Sequence, residues 1–323
     1  VFTIHPADLH PEVMAKRSNK WIEGIGPDGS AARAARRTIN RRLRAVRQLL
    51  RAAARRSQET TEYVHQLRVS TRRAMAALGG YAELLPKRKA AKMEKRLKQI
   101  RKHAGEAREY DVLLERFLER EDVERLQPLI ERIVGLRVAA QGPIVRIERK
   151  LRERQFGKKI KKLVNKIRAP RDRREMTFRD WARVGLSRNV AAFFTAADGD
   201  LNDIHALHAM RIEGKLLRYA VEYSADAFGP ELRGEVYPEI ERLQGLLGRV
   251  NDHASALVHY ETWKAEWTEP EESALLEELI AVETSALRES RQEFFRWWTP
   301  QKAAELKRRF AEILNPPSHE EVA

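Results

Sequence analysis

The sequence predicts an all-α protein made of two tandem four-helix bundles related by a pseudo-twofold repeat. Three observations predict it. Alternating runs of β-branched residues are almost absent from the 323 residues, so strands find little support. Long stretches of helix-forming residues end at Pro, Gly or Asp and are joined by short connections. Two basic segments recur in the same register, 143 residues apart, beginning at His65 and His208.

Residues 1–30 carry Pro6, Pro11, Gly24, Gly26, Pro27 and Gly29 and read as a loosely ordered leader, with a short helix around Met14 to Ile22. The first bundle is expected over 31–169. Its first helix runs from Arg33 to Arg56, rich in Ala, Arg, Leu and Gln and free of acids. The second runs from Gln58 to Leu85 and stops at Pro86, and the third from Lys89 to Arg120. A fourth starts at Asp122 as N-cap, breaks near Gly142-Pro143 and resumes to Ile167. The second bundle is expected over 170–315, with helices over Phe178–Ala196, Leu201–Phe228, Glu235–Trp263, Pro270–Trp298 and Pro300–Leu314. Pro238 is tolerable in a first turn. Residues 316–323 form a tail.

The repeated segments carry the chemistry. The first reads His65-Gln66-Leu67-Arg68-Val69-Ser70-Thr71-Arg72-Arg73. The second reads His208-Ala209-Met210-Arg211-Ile212-Glu213-Gly214-Lys215-Leu216. In each, His and two cations fall at i, i+3 and i+7, on one helix face. Guanidinium groups bind phosphate oxygens through paired donors, and Lys adds a mobile charge. Arg68, Arg72, Arg211, Lys215 and Arg218 therefore read as a cationic stripe for a polyanion. A solvated face is the alternative, and repetition in register argues against it. A second pair keeps the interval: Gly105-Glu106-Ala107-Arg108-Glu109 and Gly248-Arg249-Val250-Asn251-Asp252. Each Gly hints at close helix packing. Glu109 and Asp252 read as carboxylates that orient a cation, with plain surface ion pairs as the alternative.

Lys and Arg number 62 against 47 Asp and Glu, a net charge of +15, which implies an anionic partner without choosing among nucleic acid, an acidic membrane surface and polyphosphate. The excess lies in Arg33–Arg56, Lys87–Arg108 and Arg146–Arg174, whereas Glu266–Glu293 is mainly acidic and reads as an outer helix. No cysteine is present, which excludes disulfides and thiolate chemistry. No apolar run approaches the roughly 20 residues of a membrane span. The chain starts at Val1 rather than Met, so a missing N-terminus or a removed signal peptide stays open.

Metal and catalytic patterns are weak. Glu62-x-x-His65 is half of a di-iron signature, but its counterpart is His205, and His205-x-x-His208 supplies too few ligands. No Walker-type loop and no readable Ser/His/Asp arrangement occurs. Glu239-Ile240-Glu241-Arg242-Leu243 comes closest to a triphosphate-tunnel Glu-x-Glu-x-Lys pattern and fails at its last position. Trp181, Phe193, Phe194, Trp297 and Trp298 fall at core spacings and do not interleave with the basic stripes. The expectation is no catalysis, no cofactor and no metal.

The four motifs, in this order, resemble those of the CHAD family, the conserved histidine α-helical domain. The resemblance covers about Ala31 to Leu314, with Glu109 standing where the family usually has Asp. It implies two four-helix bundles around a basic cavity that binds inorganic polyphosphate, and association with polyphosphate granules in bacteria or archaea; the absence of cysteine fits a cytoplasmic protein. Carried onto this sequence, the anion ligands are His65, Arg68, Arg72, Arg73, Arg108, His208, Arg211, Lys215, Arg218 and Asn251. From the charge pattern, Arg36, Arg37, Arg41 and Arg44 on the first helix, and Lys98, Arg101 and Lys102 on the third, read as further contacts. Phosphate or sulfate would be small occupants of the cavity. No membrane is expected, and nucleic acid only as a competing polyanion. The rivals are a metal-dependent phosphohydrolase acting on polyphosphate and a nucleic-acid-associated basic protein.

Overall fold

The computed structural model describes residues 20–168, 176–267 and 269–315. Among these, secondary structure is helical apart from one isolated bridge, Ser30 to Thr177. Ten α-helices follow in order: α1 (Ala31–Arg55), α2 (Glu62–Gly80), α3 (Lys87–Leu118), α4 (Gln127–Glu153), α5 (Phe156–Val164), α6 (Phe178–Ala197), α7 (Ile204–Ser224), α8 (Tyr237–Glu266), α9 (Pro270–Trp297) and α10 (Pro300–Leu314). The all-α expectation holds. By its contacts the chain divides into two units, Val1–Trp181 and Ala182–Ala323. The expected boundary at 169/170 touches residues outside those described. The division by contacts falls within α6, whose start belongs to the first unit. Phe178 N–H donates to Gly29 O at 2.6 Å, Arg179 N–H to Pro27 O at 2.9 Å, and Trp181 stacks on Tyr81 with centroids 4.0 Å apart.

In the first unit α1 packs on α2, α2 on α3, α3 on α4 and α4 back on α1, so the four close into a ring. α1 has the stripe this requires: Ala35, Ile39, Leu43, Val46, Leu50 and Ala53 are buried at helical spacing. Ser30 caps it by accepting from Arg33 N–H at 3.2 Å. Residues 20–30 are not loose as expected. Ile22 and Ile25 are buried, and the buried Arg42 donates to Lys20 O at 2.7 Å. Of the helix expected at Met14–Ile22, residues 14–19 lie outside the described residues, and 20–22 are not helical.

The fourth helix differs from its reading. α4 runs unbroken through Gly142-Pro143. The buried stripe Leu129, Ile133, Ala140, Ile144, Ile147 and Leu151 outweighs a proline cost of about 3 kcal/mol. The break comes at Gln155, whose φ of 54° places it in the left-handed region, and α5 then packs on α1 and α4. Asp122 stands at the N-cap of a short 3₁₀ helix, Val123–Leu126, but its side chain does not cap it. It accepts from Arg120 at 2.7 and 2.9 Å instead.

In the second unit α7 packs on α8 and α8 on α9. α7 begins later than expected, because Asp203 is its N-cap and accepts from His205 N–H and Ala206 N–H. A π-helical turn, Leu232–Val236, leads into α8, and Pro238 sits in that helix's first turn as expected. Trp263 and Trp267 stack at 4.8 Å, and Thr299 caps α10 by accepting from Lys302 N–H.

Candidate anion-binding site

The first repeat builds a charge-dense cluster where α2 meets α3. Arg68 from α2 crosses to α3 and donates to Gly105 O at 2.5 Å. A Cβ on Gly105 would lie 3.3 Å from the Arg68 guanidinium, so the missing side chain receives this arginine. That gives the first glycine the close-packing role its spacing suggested. Glu109, read from the sequence as an orienting carboxylate, lies 3.9 Å from Arg68 Nη1. Arg108 is held elsewhere. It donates to both oxygens of Glu115, at 2.9 and 3.1 Å, and Thr61 also donates to Glu115. Glu115 escaped the sequence reading. It lies two turns along α3 from Arg108, on the same face, and this spacing was its only signal.

His65 sits half-buried among these arginines. Burial and the charges of Arg108, Arg72 and Arg68 hold its pKa down to about 4, with Glu115 opposing. Burial also weighs against the charge on Arg68, as do Arg72, Arg108 and Arg101, and Glu109 offsets part of this. Arg72 Nε is buried without a hydrogen-bond partner. Cations thus crowd one another around a neutral imidazole, and an anion entering here would relieve their repulsion. Behind them the buried Asp111 takes Arg137 Nε at 2.5 Å. Burial raises the Asp111 pKa, and Arg137 works in the opposite direction.

The remaining candidates of the first unit scatter. Arg41 and Arg73 line one small cleft between α1 and α2 with Arg42 and Ser70. Arg36, Arg37 and Arg44 are exposed on α1, and the Arg37 guanidinium lies against Gly24. Lys98 is drawn to Glu94 at 2.7 Å. Arg101 is exposed yet acts on Arg68, whereas Lys102 acts on His103 along another flank of α3.

The second repeat keeps the residues but not the setting. His208 is exposed on α7, while Arg211 and Lys215 are half-buried. Arg218 lies 5.2 Å from the Tyr219 ring centre, a cation–π contact. Burial works against its charge, but Tyr219, Glu222 and Tyr237 outweigh that and push its pKa up. Glu222 is fully buried and accepts from Tyr237 Oη at 2.9 Å. Gly248 has open space where its Cβ would be, unlike Gly105. Asn251 donates to Ser255 at 3.2 Å. Asp252 is exposed and orients no cation among the described residues. The carboxylate engaged at this level is Glu283 of α9, 2.6 Å from His253 Nδ1.

The CHAD domain profile matches residues 39–261, more than half of the chain. The chain belongs to the CHAD domain family. Its fold is similar to the crystal structure of the CHAD domain from the plant Ricinus communis, at 16% identity and a TM-score of 0.71, covering 91% of this chain and 96% of that one. It is also similar to PptA from Streptomyces chartreusis, at 17% identity and a TM-score of 0.63, covering 86% of this chain and 100% of that one. At such identities the likeness establishes the fold. No curated protein matches the sequence. Among the described residues of this CHAD protein, no helix is long and apolar enough to cross a membrane, and no three His, Asp or Glu side chains gather to hold a metal.

Proposed function

We propose that this CHAD protein binds inorganic polyphosphate without turning it over, and that its association with polyphosphate granules follows from that binding. The observation that supports this best is the α2–α3 cluster. Arg68, Arg72 and Arg108 surround a neutral His65, and all three arginines lower the imidazole pKa. A string of phosphates supplies the missing negative charge and accepts from several guanidinium groups at once. Arg211, Lys215 and Arg218 of the second repeat offer further donors, with Asn251 as a neutral one. Polyphosphate carries about one charge per phosphate, so binding should follow the counterion-release behaviour of nucleic acids.

The test is a salt titration. Affinity for long-chain polyphosphate should fall linearly and steeply on a log–log plot, and orthophosphate should bind far more weakly. A flat salt response, or equal affinity for orthophosphate, would remove the proposal. Mg²⁺-dependent phosphate release would favour the phosphohydrolase. Displacement of polyphosphate by DNA or RNA at equal charge concentration would favour the nucleic-acid reading.

A further inference from the structure

A second basic feature lies on another flank of α3. Successive helical residues turn by about 100°, so His103 faces almost opposite Gly105. There α3 and α4 flank an open cleft of ≈ 380 Å³ lined by Gln99, His103, Pro143, Arg146, Arg149 and Lys150, of which Gln99 and the three cations are exposed. Elsewhere on α4 the cations find carboxylates: Arg137 pairs with Asp111, and Arg152 lies 3.6 Å from Glu148. Arg146, Arg149 and Lys150 form no ion pair among the described residues, although Glu153 is one turn from Arg149 and lines the same cleft. Beside the cleft, the Arg146 guanidinium lies over Gly142, where a Cβ would be 3.0 Å from Nη1.

We infer that this cleft is a second anion site, separate from the α2–α3 cluster, and that it takes a compact polyphosphoryl group. The spacing sets the class of ligand. Gln99 and His103 lie four residues apart on one wall, and Arg146 and Lys150 four residues apart on the other, a rise of about 6 Å in each case. Donors spread over that length exceed one phosphate and suit roughly two or three linked ones. Such a group occurs in short inorganic polyphosphate and in the phosphate tail of a nucleotide. The inference is independent of whether the α2–α3 cluster binds long chains.

His103 makes the site pH-sensitive. Burial lowers its pKa, as do Lys102, Arg146 and Lys150, and Glu106 opposes them. Arg149 and Glu153 complete the charged lining. In the free protein the neutral ring is therefore favoured. A bound anion reverses the local field and favours imidazolium, so binding takes up a proton and strengthens as pH falls toward 6.

Calorimetry of the intact chain with tripolyphosphate tests this. The expected result is a binding event that survives Arg68→Ala/Arg211→Ala and weakens about tenfold or more in Arg146→Ala/Lys150→Ala, as loss of charged hydrogen bonds requires. His103→Gln should keep most of the affinity at pH 8 and lose the proton uptake, counted in buffers of different ionisation enthalpy. Displacement by ATP at comparable concentration would assign the site to a nucleotide tail, and no displacement would assign it to inorganic chains. Failure of tripolyphosphate to bind, or binding indifferent to Arg146→Ala/Lys150→Ala with an unchanged circular dichroism spectrum, would overturn the inference. Should that double variant misfold, the His103 ring resonances of the wild type decide. They should shift on adding tripolyphosphate, and their indifference would be equally fatal.

Discussion

His65 offers the sharpest test of the first cluster. In the unfolded chain its imidazole titrates near 6.5, and in the folded protein near 4, a difference of 2.5 pH units. At 1.36 kcal/mol per unit, protonation of the unfolded chain alone opposes folding by about 3 kcal/mol once pH falls below both values. The sign follows from the direction of the shift. Between about 6.5 and 4 the unfolded chain binds the proton and the folded protein does not. This part of the stability is therefore present above pH 6.5 and lost progressively as pH falls to 4. His65→Gln removes it, so the wild type should lose stability faster than the variant across this window. The assay is the urea midpoint of both proteins at pH 7.5, 6.0, 5.0 and 4.5, paired with imidazole resonances recorded during the same titration. Long-chain polyphosphate should raise the His65 pKa and flatten the difference. A His65 ring that titrates near 6.5, or a variant with the wild-type pH slope, would refute the crowding of cations around it.

Other substitutions follow from the same geometry. Arg68→Ala should weaken polyphosphate binding by about 1–3 kcal/mol in a salt-controlled titration, and Glu278→Lys on α9 should leave it nearly unchanged. Glu115→Gln should strengthen binding by about 1 kcal/mol, because Arg108 loses its carboxylate partner. The same change should lower the His65 pKa further, since Glu115 raises it. Gly248→Ala should raise the thermal midpoint, adding up to about 1 kcal/mol, as open space surrounds the new methyl group. Gly214→Ala should forfeit that gain, because its Cβ would collide with the buried amide of Gln244.

Helix content and most helix ends were legible because punctuation and periodicity act locally. Pro86, Pro270 and Pro300 stand where turns or helix starts occur. The errors arose where a distant contact decided. Pro143 reads as a break, yet the buried face of α4 carries the helix through it, and the chain turns at Gln155, a position without any breaker residue. In the site, helical spacing placed His65, Arg68 and Arg72 together. It could not tell that Arg108 is claimed by Glu115, because that pairing depends on side-chain reach along α3. Nor could the repeat reveal that its copies differ. His65 is half-buried and His208 exposed, Gly105 accepts Arg68 and Gly248 meets nothing, though the motifs align in the sequence.

The stack of Trp181 on Tyr81 has an optical consequence. Their ring planes are only 3° apart at 4.0 Å, while the Tyr81 and Thr38 hydroxyls are 3.4 Å apart in the interior. Two aromatic rings stacked face to face at that range and fixed in the asymmetric surroundings of the fold should give a near-ultraviolet circular dichroism band. Undocking of the segment that carries Phe178 and Trp181 would erase this band while leaving the far-ultraviolet helical signal almost intact. A difference between the two wavelengths on heating would thus time the release of this segment against the melting of the helices.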